Sequence, residues 1–181
     1  ASLQSAISAG TGSTSDGKPY DVDSVSITGT AVGNFNDKDV SDATTVVFSG
    51  LSLTGTGSGN YSLSNHADAS HTISVKPVTV SGLTSSDKTY DGTTNATVGG
   101  TASLQSAISA GTGSASDGKP YDVDSLSLTG TAVGSFNDKD VSDATKVVFS
   151  GLSFTGTGAE NYSYTNHQDA SHSINTREVS L

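Results

Sequence analysis

The chain consists largely of one segment that occurs twice. Residues 1–80 align with residues 102–181 at a constant offset of 101 residues, and 62 of the 80 aligned pairs are identical. Self-similarity at a fixed offset indicates a repeat architecture. This period is longer than the roughly 20–45 residues of a solenoid unit and close to the about 100 residues of one β-sandwich module. We therefore predict two modules of a tandem array.

The composition favours strands over helices. Ser, Thr, Asp and Gly are abundant, with 21 Gly in 181 residues, and the acidic residues are nearly all Asp. Ser, Thr, Asp and Gly are poor helix formers, whereas Thr suits the exposed face of a strand. Hydrophobic residues make up only 32% of the chain. Their periodicity must therefore decide between a folded chain and a disordered one.

Apolar residues alternate with polar ones in several short runs. Residues 22–27 place Val25 and Ile27 on one face, and β-rich runs follow at residues 44–48, 51–53 and 61–63. Such alternation predicts half-buried strands, about seven or eight in one period. Residues 35–39, which read Phe-Asn-Asp-Lys-Asp, predict a turn after Ala31 and Val32, because Asn and Asp side chains bond to nearby backbone amides. The fold class we predict is all-β, with tandem β-sandwich modules of the immunoglobulin-like or Greek-key type.

Two positions interrupt this alternation. Gly50 separates the runs at residues 44–48 and 51–53, and the break in phase predicts a β-bulge or a bend rather than two separate strands. Pro77 shifts the register of the apolar residues around it. Because proline cannot donate to a strand ladder, we predict that Pro77 lies at the joint between the modules.

One stretch has no second copy. Residues 87–94 read Asp-Lys-Thr-Tyr-Asp-Gly-Thr-Thr and lead into residues 95–98. Together they resemble the signature of the YDG repeat domain, which is found in tandem in large bacterial surface adhesins of the filamentous-haemagglutinin kind. Residues 136–141, 147–152 and 158–163 resemble further blocks of that family, and they occur in the expected order.

The resemblance implies module boundaries and a location. It covers residues 78–174 fully and residues 1–73 without the leading signature. It therefore implies a first repeat at residues 1–77 that lacks its leading segment, and a complete second repeat at residues 78–181. It also implies secretion to the bacterial cell surface. The signature residues carried over from the family are Lys88, Thr89, Tyr90, Asp91, Gly92 and Thr93.

The chemistry of the signature itself favours a structural role. A Tyr packed at a sheet corner and followed by an Asp-Gly turn accounts for Tyr90, Asp91 and Gly92 without a ligand. We therefore expect these residues to shape the fold.

Clusters of Asp are the candidates for a metal site. Calcium takes about 6–8 oxygen ligands. An EF-hand loop beginning at Asp37 fails, because its sixth position is Asp42 rather than Gly and its twelfth is Phe48 rather than Glu. A calcium site assembled from several loops stays open, and otherwise we expect no cofactor. The candidate ligands are Asp37, Asp39 and Asp42 in the first copy and Asp138, Asp140 and Asp143 in the second.

We find no pattern typical of an enzyme. The chain has no Cys, which excludes a thiolate nucleophile and a disulfide framework. Phosphate-binding and nucleophile-elbow motifs are also missing from the sequence. His66 and His71, with His167 and His172, are spaced five residues apart. We expect them to be solvated histidines rather than a metal pair, and we predict that the protein is not an enzyme.

The net charge of −10 argues against nucleic acid as a partner. The eight Lys and Arg residues are scattered among 18 acidic ones, whereas phosphate recognition requires clustered positive charge. No apolar run approaches the ~20 residues that cross a bilayer, so we expect no membrane span. Residues 1–4 have no signal-peptide character, and we expect any export signal to lie outside this segment.

Two functions fit these features. The first is an extracellular spacer or stalk module of a large adhesin that supports cell adhesion or biofilm formation, with neighbouring repeats of the same polypeptide as partners. The second is a ligand-binding module for a glycan or a receptor on a host or bacterial surface, with calcium as a cofactor. The near-identity of the copies favours the spacer, because no loop is specialised in one copy. Since the first copy lacks a counterpart of residues 78–101, we expect it to be less stable or to borrow strands from another chain.

Overall fold

The computed structural model describes residues 1–64, 67–68, 70–165, 168–169 and 172–181. This part of the chain contains strands and two 3₁₀ turns and no α-helix, so the all-β prediction is confirmed. The chain divides into two compact units, Ala1–Ile73 and Ser74–Leu181. Within the described ranges, no helix has the length and apolar character needed to cross a membrane.

The first unit is built on one long hairpin. Strand β1 (Ser26–Phe35) pairs antiparallel with β2 (Val46–Thr54), and β3 (Ala67–Asp68) pairs with β2 at its beginning. A 3₁₀ turn at Ser58–Asn60 follows β2. The predicted strand at residues 22–27 is wrong in its first half. Val22 lies in a turn, because the neighbouring Asp23 folds back to Tyr20 through its backbone N–H.

A bulge interrupts the hairpin where glycines face the opposite backbone. The register shifts between Gly29 and Val32, and Gly50 has a φ of +78° on the partner strand. A Cβ on Gly29 would lie 2.3 Å from the carbonyl oxygen of Gly50, so no other residue fits there. The bulge predicted from the phase break at Gly50 is confirmed.

An asparagine closes the turn after β1. The side chain of Asn36 accepts hydrogen bonds from the N–H groups of Thr44 and Thr45 at 2.9 and 2.8 Å, and its amide donates to the carbonyl of Asp42. Asn137 makes the same three bonds in the second copy. The predicted turn is confirmed, and its geometry comes from one side chain bridging both ends of the loop.

The second unit has nine strands in its described part, several of them only two residues long. They are β4 (Lys76–Thr84), β5 (Lys88–Thr89), β6 (Asn95–Ala96), β7 (Gly99–Leu104), β8 (Ser127–Phe136), β9 (Val147–Thr155), β10 (Tyr162–Thr165), β11 (Gln168–Asp169) and β12 (Ile174–Asn175). A 3₁₀ turn at Ala159–Asn161 precedes β10.

These strands form three sheets. One has the order β10-β4-β7, a second has the order β11-β9-β8-β6, and the third is the parallel pair β12-β5. The β8–β9 hairpin repeats the β1–β2 hairpin with the same register and the same bulge. Strand β4 lies between β10, to which it is parallel, and β7, to which it is antiparallel.

Pro77 lies inside strand β4 and not at a joint. It is opposite Ser163 of β10, and the division between the units falls after Ile73. Strand β7 pairs with β4 only from Val80 onward. A residue without an N–H is tolerated at this position because one edge of the strand carries no ladder there.

The core of the second unit collects side chains from both larger sheets and from β12. Val78 and Val80 of β4 are fully buried as well. Burying this apolar surface is the main source of the unit's stability. The central cluster consists of Leu83, Phe136, Ala144, Val147, Phe149 and Ile174.

The same side chains are much more exposed in the first unit. Phe136 is 3% exposed, whereas its counterpart Phe35 is 39% exposed. Phe149 is fully buried, whereas Phe48 is only partly buried. In the second unit, strands β4–β7 and the residues between them cover this face through Leu83, Ala96, Val98 and Ala102. Within this sequence, the first unit has no counterpart of residues 78–101.

One predicted strand forms in only one copy. Residues 61–64 have no strand structure, although their counterpart Tyr162–Thr165 is strand β10. Strand β10 exists because β4 supplies its hydrogen-bonding partner. The prediction at residues 61–63 is therefore wrong for the first unit and right for the second.

Candidate functional site

The signature residues form a turn held by one lysine and one carboxylate. Lys88 Nζ donates to Oδ1 of Asp91 at 2.8 Å and to the carbonyl of Thr93 at 2.7 Å. The same Asp91 oxygen accepts from the N–H and from the hydroxyl of Thr93, both at 2.9 Å. These bonds lower the pKa of Asp91 to about 2, and the bond from Lys88 makes the largest contribution. The Asp91 carboxylate thus accepts hydrogen bonds from within its own turn.

Tyr90 connects this turn to the core and to the end of the unit. Its ring packs against the core cluster, and its N–H donates to the carbonyl of Asn175 in β12 at 2.8 Å. Gly92 has a φ of +84° with open space around the position of a Cβ, so glycine serves the backbone conformation here and not a close approach. The signature residues together connect β5 to β12 and to the core. They are Lys88, Thr89, Tyr90, Asp91, Gly92 and Thr93.

Asp87 adds a second link between the signature and the end of the unit. It accepts from the N–H of Ser173 at 2.9 Å, and the ring of His172 lies 3.3 Å away. These contacts lower the pKa of Asp87, and the hydrogen bond from Ser173 makes the largest contribution. Of the other histidines, His71 lies at an exposed position. His66 and His167 lie outside the described residues, so the prediction about the histidine pairs stays a prediction.

The Asp candidates for calcium belong to the turn that follows the first strand of each hairpin. Asp37 accepts from the N–H of Asp39 at 2.9 Å, and Lys38 Nζ contacts Asp39 at 2.5 Å. Asp42 accepts from the hydroxyl of Ser41 at 3.1 Å. The second copy repeats these three contacts with Asp138, Lys139, Asp140, Ser142 and Asp143.

The carboxylates of these turns bond mainly to groups of their own loop. Across the residues that the structure describes, no group of three or more His, Cys, Asp or Glu side chains comes together where a metal ion could bind. Asp39 and Asp140 already pair with a lysine, and Asp140 raises the pKa of Lys139. Calcium requires several converging oxygens, and here the oxygens accept bonds from their own loop.

A tyrosine hydroxyl that we did not predict from the sequence forms hydrogen bonds across the other end of the hairpin in both copies. The hydroxyl of Tyr162 donates to Oδ2 of Asp124 at 2.6 Å and accepts from the N–H of Tyr121 at 3.0 Å. Burial makes the largest contribution to raising the pKa of Tyr162 to about 12, and the bond to Asp124 makes the next largest. The signal in the sequence is the recurrence of Asp-Val-Asp and Asn-Tyr-Ser at the same separation in both copies.

A buried lysine is the second feature that the sequence did not indicate. Lys76 is only 7% exposed, and its Nζ donates to Asp117 Oδ1 at 2.8 Å and to the carbonyl of Ser114. The same nitrogen lies 4.8 Å from the centre of the Tyr121 ring. The hydrogen bond from Lys76 contributes most to lowering the pKa of Asp117 to about 2. A buried cation of this kind requires such partners, because an unpaired one would be costly.

An open depression lies beside the signature. Its volume is about 460 Å³, and it is shallow and mostly apolar. The residues that line it are Tyr90, Asp140, Val141, Thr176, Arg177 and Val179.

Comparison with known proteins gives one match. The sequence model of the YDG domain matches residues 4–70 and 74–170, so it covers both copies of the repeat. No curated protein matches the chain, and no solved structure does. The resemblance predicted from the signature is thereby confirmed at the level of the family.

Proposed function

The chain belongs to the YDG domain family, and on that premise we propose that it is an extracellular spacer segment of a large bacterial surface adhesin, which supports cell adhesion or biofilm formation. Each complete module is a β-sandwich of the immunoglobulin-like or Greek-key type. The core that collects side chains from the β4 sheet and the β8–β9 sheet supports this architecture.

The observation that carries the proposal is the sameness of the two copies. The two hairpins have the same strand register, and the turns at Asn36 and Asn137 make the same hydrogen bonds. The hydroxyls of Tyr61 and Tyr162 also donate to equivalent Asp residues. A module selected for recognition needs a specialised loop or pocket in at least one copy. Modules that provide length need only fold alike.

Partners and location follow from the same role. We propose that neighbouring repeats of the same polypeptide are the direct partners and that the segment is exposed at the bacterial surface. A net charge of −10 on a Ser-rich and Thr-rich chain keeps such a surface soluble. The signature residues are used in turns and in the core, which supports a structural role over a catalytic one.

A length measurement tests the proposal. Chains extended by one, two and three further copies of residues 76–176 would be compared by small-angle X-ray scattering. A spacer predicts a maximum dimension that increases by a constant step for each added copy. A dimension that stays nearly constant, as it would if added copies packed into a globule, would contradict it.

A binding screen separates the spacer from the ligand-binding alternative. The labelled chain would be applied to an array of glycans and to bacterial and host cells, with and without calcium. We expect no saturable binding. Saturable binding abolished by changes at Tyr90 and Arg177, which line the open depression, would favour the second function.

A further inference from the structure

The strands of the two long hairpins contain no charged residue. Strands β1, β2, β8 and β9 have 10, 9, 10 and 9 residues, and none of these is Asp, Glu, Lys or Arg. Charged residues make up 14% of the chain, so composition alone would place several of them here. Charges on the exposed positions of a sheet oppose its association with other molecules. The hairpins therefore lack a common protection against association.

In the second unit, alternate residues of β8 and β9 point away from the core and form a surface that we call the hairpin face. The residues between them include Phe136, Val147 and Phe149, which are buried. Near the centre of the face, Val133 is 56% exposed and lies opposite Ser150. The members of the face, all of them exposed or half-buried, are Ser127, Thr129, Thr131, Val133, Ser135, Val148, Ser150, Ser153 and Thr155.

The same face occurs in the first unit. Val32 is 48% exposed and lies opposite Ser49, as Val133 lies opposite Ser150. In the second unit, strands β4–β7 pack against the core side of the hairpin and leave the hairpin face exposed. Each repeat of an array therefore carries one such face. Its members in the first unit are Ser26, Thr28, Thr30, Val32, Asn34, Val47, Ser49, Ser52 and Thr54.

The chemistry of the hairpin face is complementary to itself. A hydroxyl group both donates and accepts, so two identical hydroxyl-bearing surfaces can bond to each other, whereas two carboxylate surfaces repel. Val32 and Val133 add apolar area within a polar surround, which is the usual composition of an interface. The net charge of −10 makes two chains repel each other. At the hairpin face they can meet without acidic residues of the strands facing each other.

The size of the face predicts a weak contact that repetition strengthens. Two strands, each about 4.8 Å wide and about 33 Å long, give a face of roughly 300 Å². A pair of faces then buries about 600 Å², which is less than the about 1,200 Å² of a stable complex. When two chains already touch at one pair of faces, a second pair forms at a high effective concentration and increases the affinity.

We propose that the hairpin face is a self-association surface, at which one copy of this chain packs face to face on a second copy. The contact is isologous, because both partners use the same surface. Hydroxyl groups bond across it, and Val32 and Val133 become buried near its centre. The inference rests on the hairpins and not on the spacer role. A chain that did not associate would leave that role unaffected.

Sedimentation velocity over a wide range of protein concentrations tests the association. The unaltered chain should associate reversibly, and more strongly at high salt, because salt screens the repulsion between acidic chains. The double variant V32D/V133D should weaken association by about tenfold or more, because it would bury carboxylates against each other. The control V22D/V123D adds the same charge at residues that lie in turns and are 72% and 58% exposed. It should associate as the unaltered chain does.

A charge exchange tests whether the face meets itself. V32D/V133D and V32K/V133K should each associate weakly alone, because like charges oppose each other across an isologous contact. Mixed in equal amounts, they should associate at least as strongly as the unaltered chain, because Asp on one face then meets Lys on the other. This recovery also shows that both variants are folded. A mixture of V32D/V133D with V22K/V123K is the control and should gain less, since its lysines lie outside the face.

Two results would overturn the proposal. One is an unaltered chain that stays monomeric at every concentration and salt, including a chain that stays monomeric but binds a glycan through the hairpin face. The other is a mixture of V32D/V133D with V32K/V133K that associates no better than its components.

Discussion

The hydroxyl of Tyr162 donates to Asp124 across 2.6 Å, and Tyr61 donates to Asp23 across 2.7 Å in the other copy. The bonds are alike, but their surroundings differ. Tyr162 is 7% exposed, whereas Tyr61 is only partly buried. The chain therefore contains matched pairs of residues in which sequence is held constant and burial varies.

The first prediction uses this tyrosine pair. Removing the hydroxyl in Y162F leaves the Tyr121 N–H and the Asp124 carboxylate without this partner, and the second unit should lose about 1–3 kcal/mol of unfolding free energy. In Y61F the same groups are reached by water, so the loss should be smaller. Urea unfolding followed by amide exchange in each unit measures both. An equal loss in the two units would contradict the role we assign to burial.

The second prediction concerns acid. The pKa values of Asp91 and Asp117 are lowered to about 2 from 3.8 in the folded chain. A carboxyl group with a lowered folded pKa stabilises the fold above its unfolded pKa, and this contribution is lost as the pH falls toward the folded value. The unfolding free energy of the second unit should therefore decrease between about pH 4 and pH 2.

Variants assign this acid sensitivity. In D117N the second unit should be less stable at neutral pH and less sensitive to acid, because the group that must take up a proton is gone. The matched change D16N removes the corresponding carboxylate of the first unit, which accepts from the N–H groups of Ser13 and Lys18. It should leave the acid response of the second unit as it was. An unchanged acid response in D117N would show that Lys76 and Asp117 do not contribute.

The third prediction concerns the core. Phe149 is fully buried, so F149A should cost about 3–5 kcal/mol through lost burial and the cavity that remains. F48A should cost less, because that ring is only partly buried. Amide exchange on the unaltered chain as a monomer should also show lower protection in Ala1–Ile73 than in Ser74–Leu181. Equal protection would refute the view that strands β4–β7 make the difference.

The fourth prediction concerns calcium. Millimolar calcium should leave the melting temperature unchanged, because a ligand stabilises a protein only when the folded state binds it better. Chelator and magnesium serve as controls for ionic strength. An increase of many degrees with calcium, lost in D138N/D140N, would instead establish the Asp turn as a metal site.

The sequence predicted those features that local rules determine. The Gly50 bulge followed from a break in apolar phase, and the Asn36 turn followed from residues that bond to their own backbone. The error at Val22 arose because an apolar residue in alternation looks like a strand residue, whereas Asp23 is used in a turn tied to Tyr61.

Contacts between distant residues were beyond such rules. Lys76 and Asp117 are 41 residues apart, and nothing near either one indicates the other. The same holds for residues 61–64 and their counterpart Tyr162–Thr165, since two similar segments differ in structure only because β4 pairs with one of them. Repetition in the sequence identifies equivalent residues, but a segment forms a strand only where a neighbouring strand pairs with it.

The parallel pairing in the second unit has a mechanical consequence. Strand β4 near its beginning is parallel to β10, and β5 is parallel to β12 near its end. Tension applied at Ser74 and at Asn175 pulls these strands along their length in opposite directions. The ladder bonds then carry the load together in shear instead of opening one after another, as in a zipper. Force spectroscopy should record one rupture event at high force for this unit.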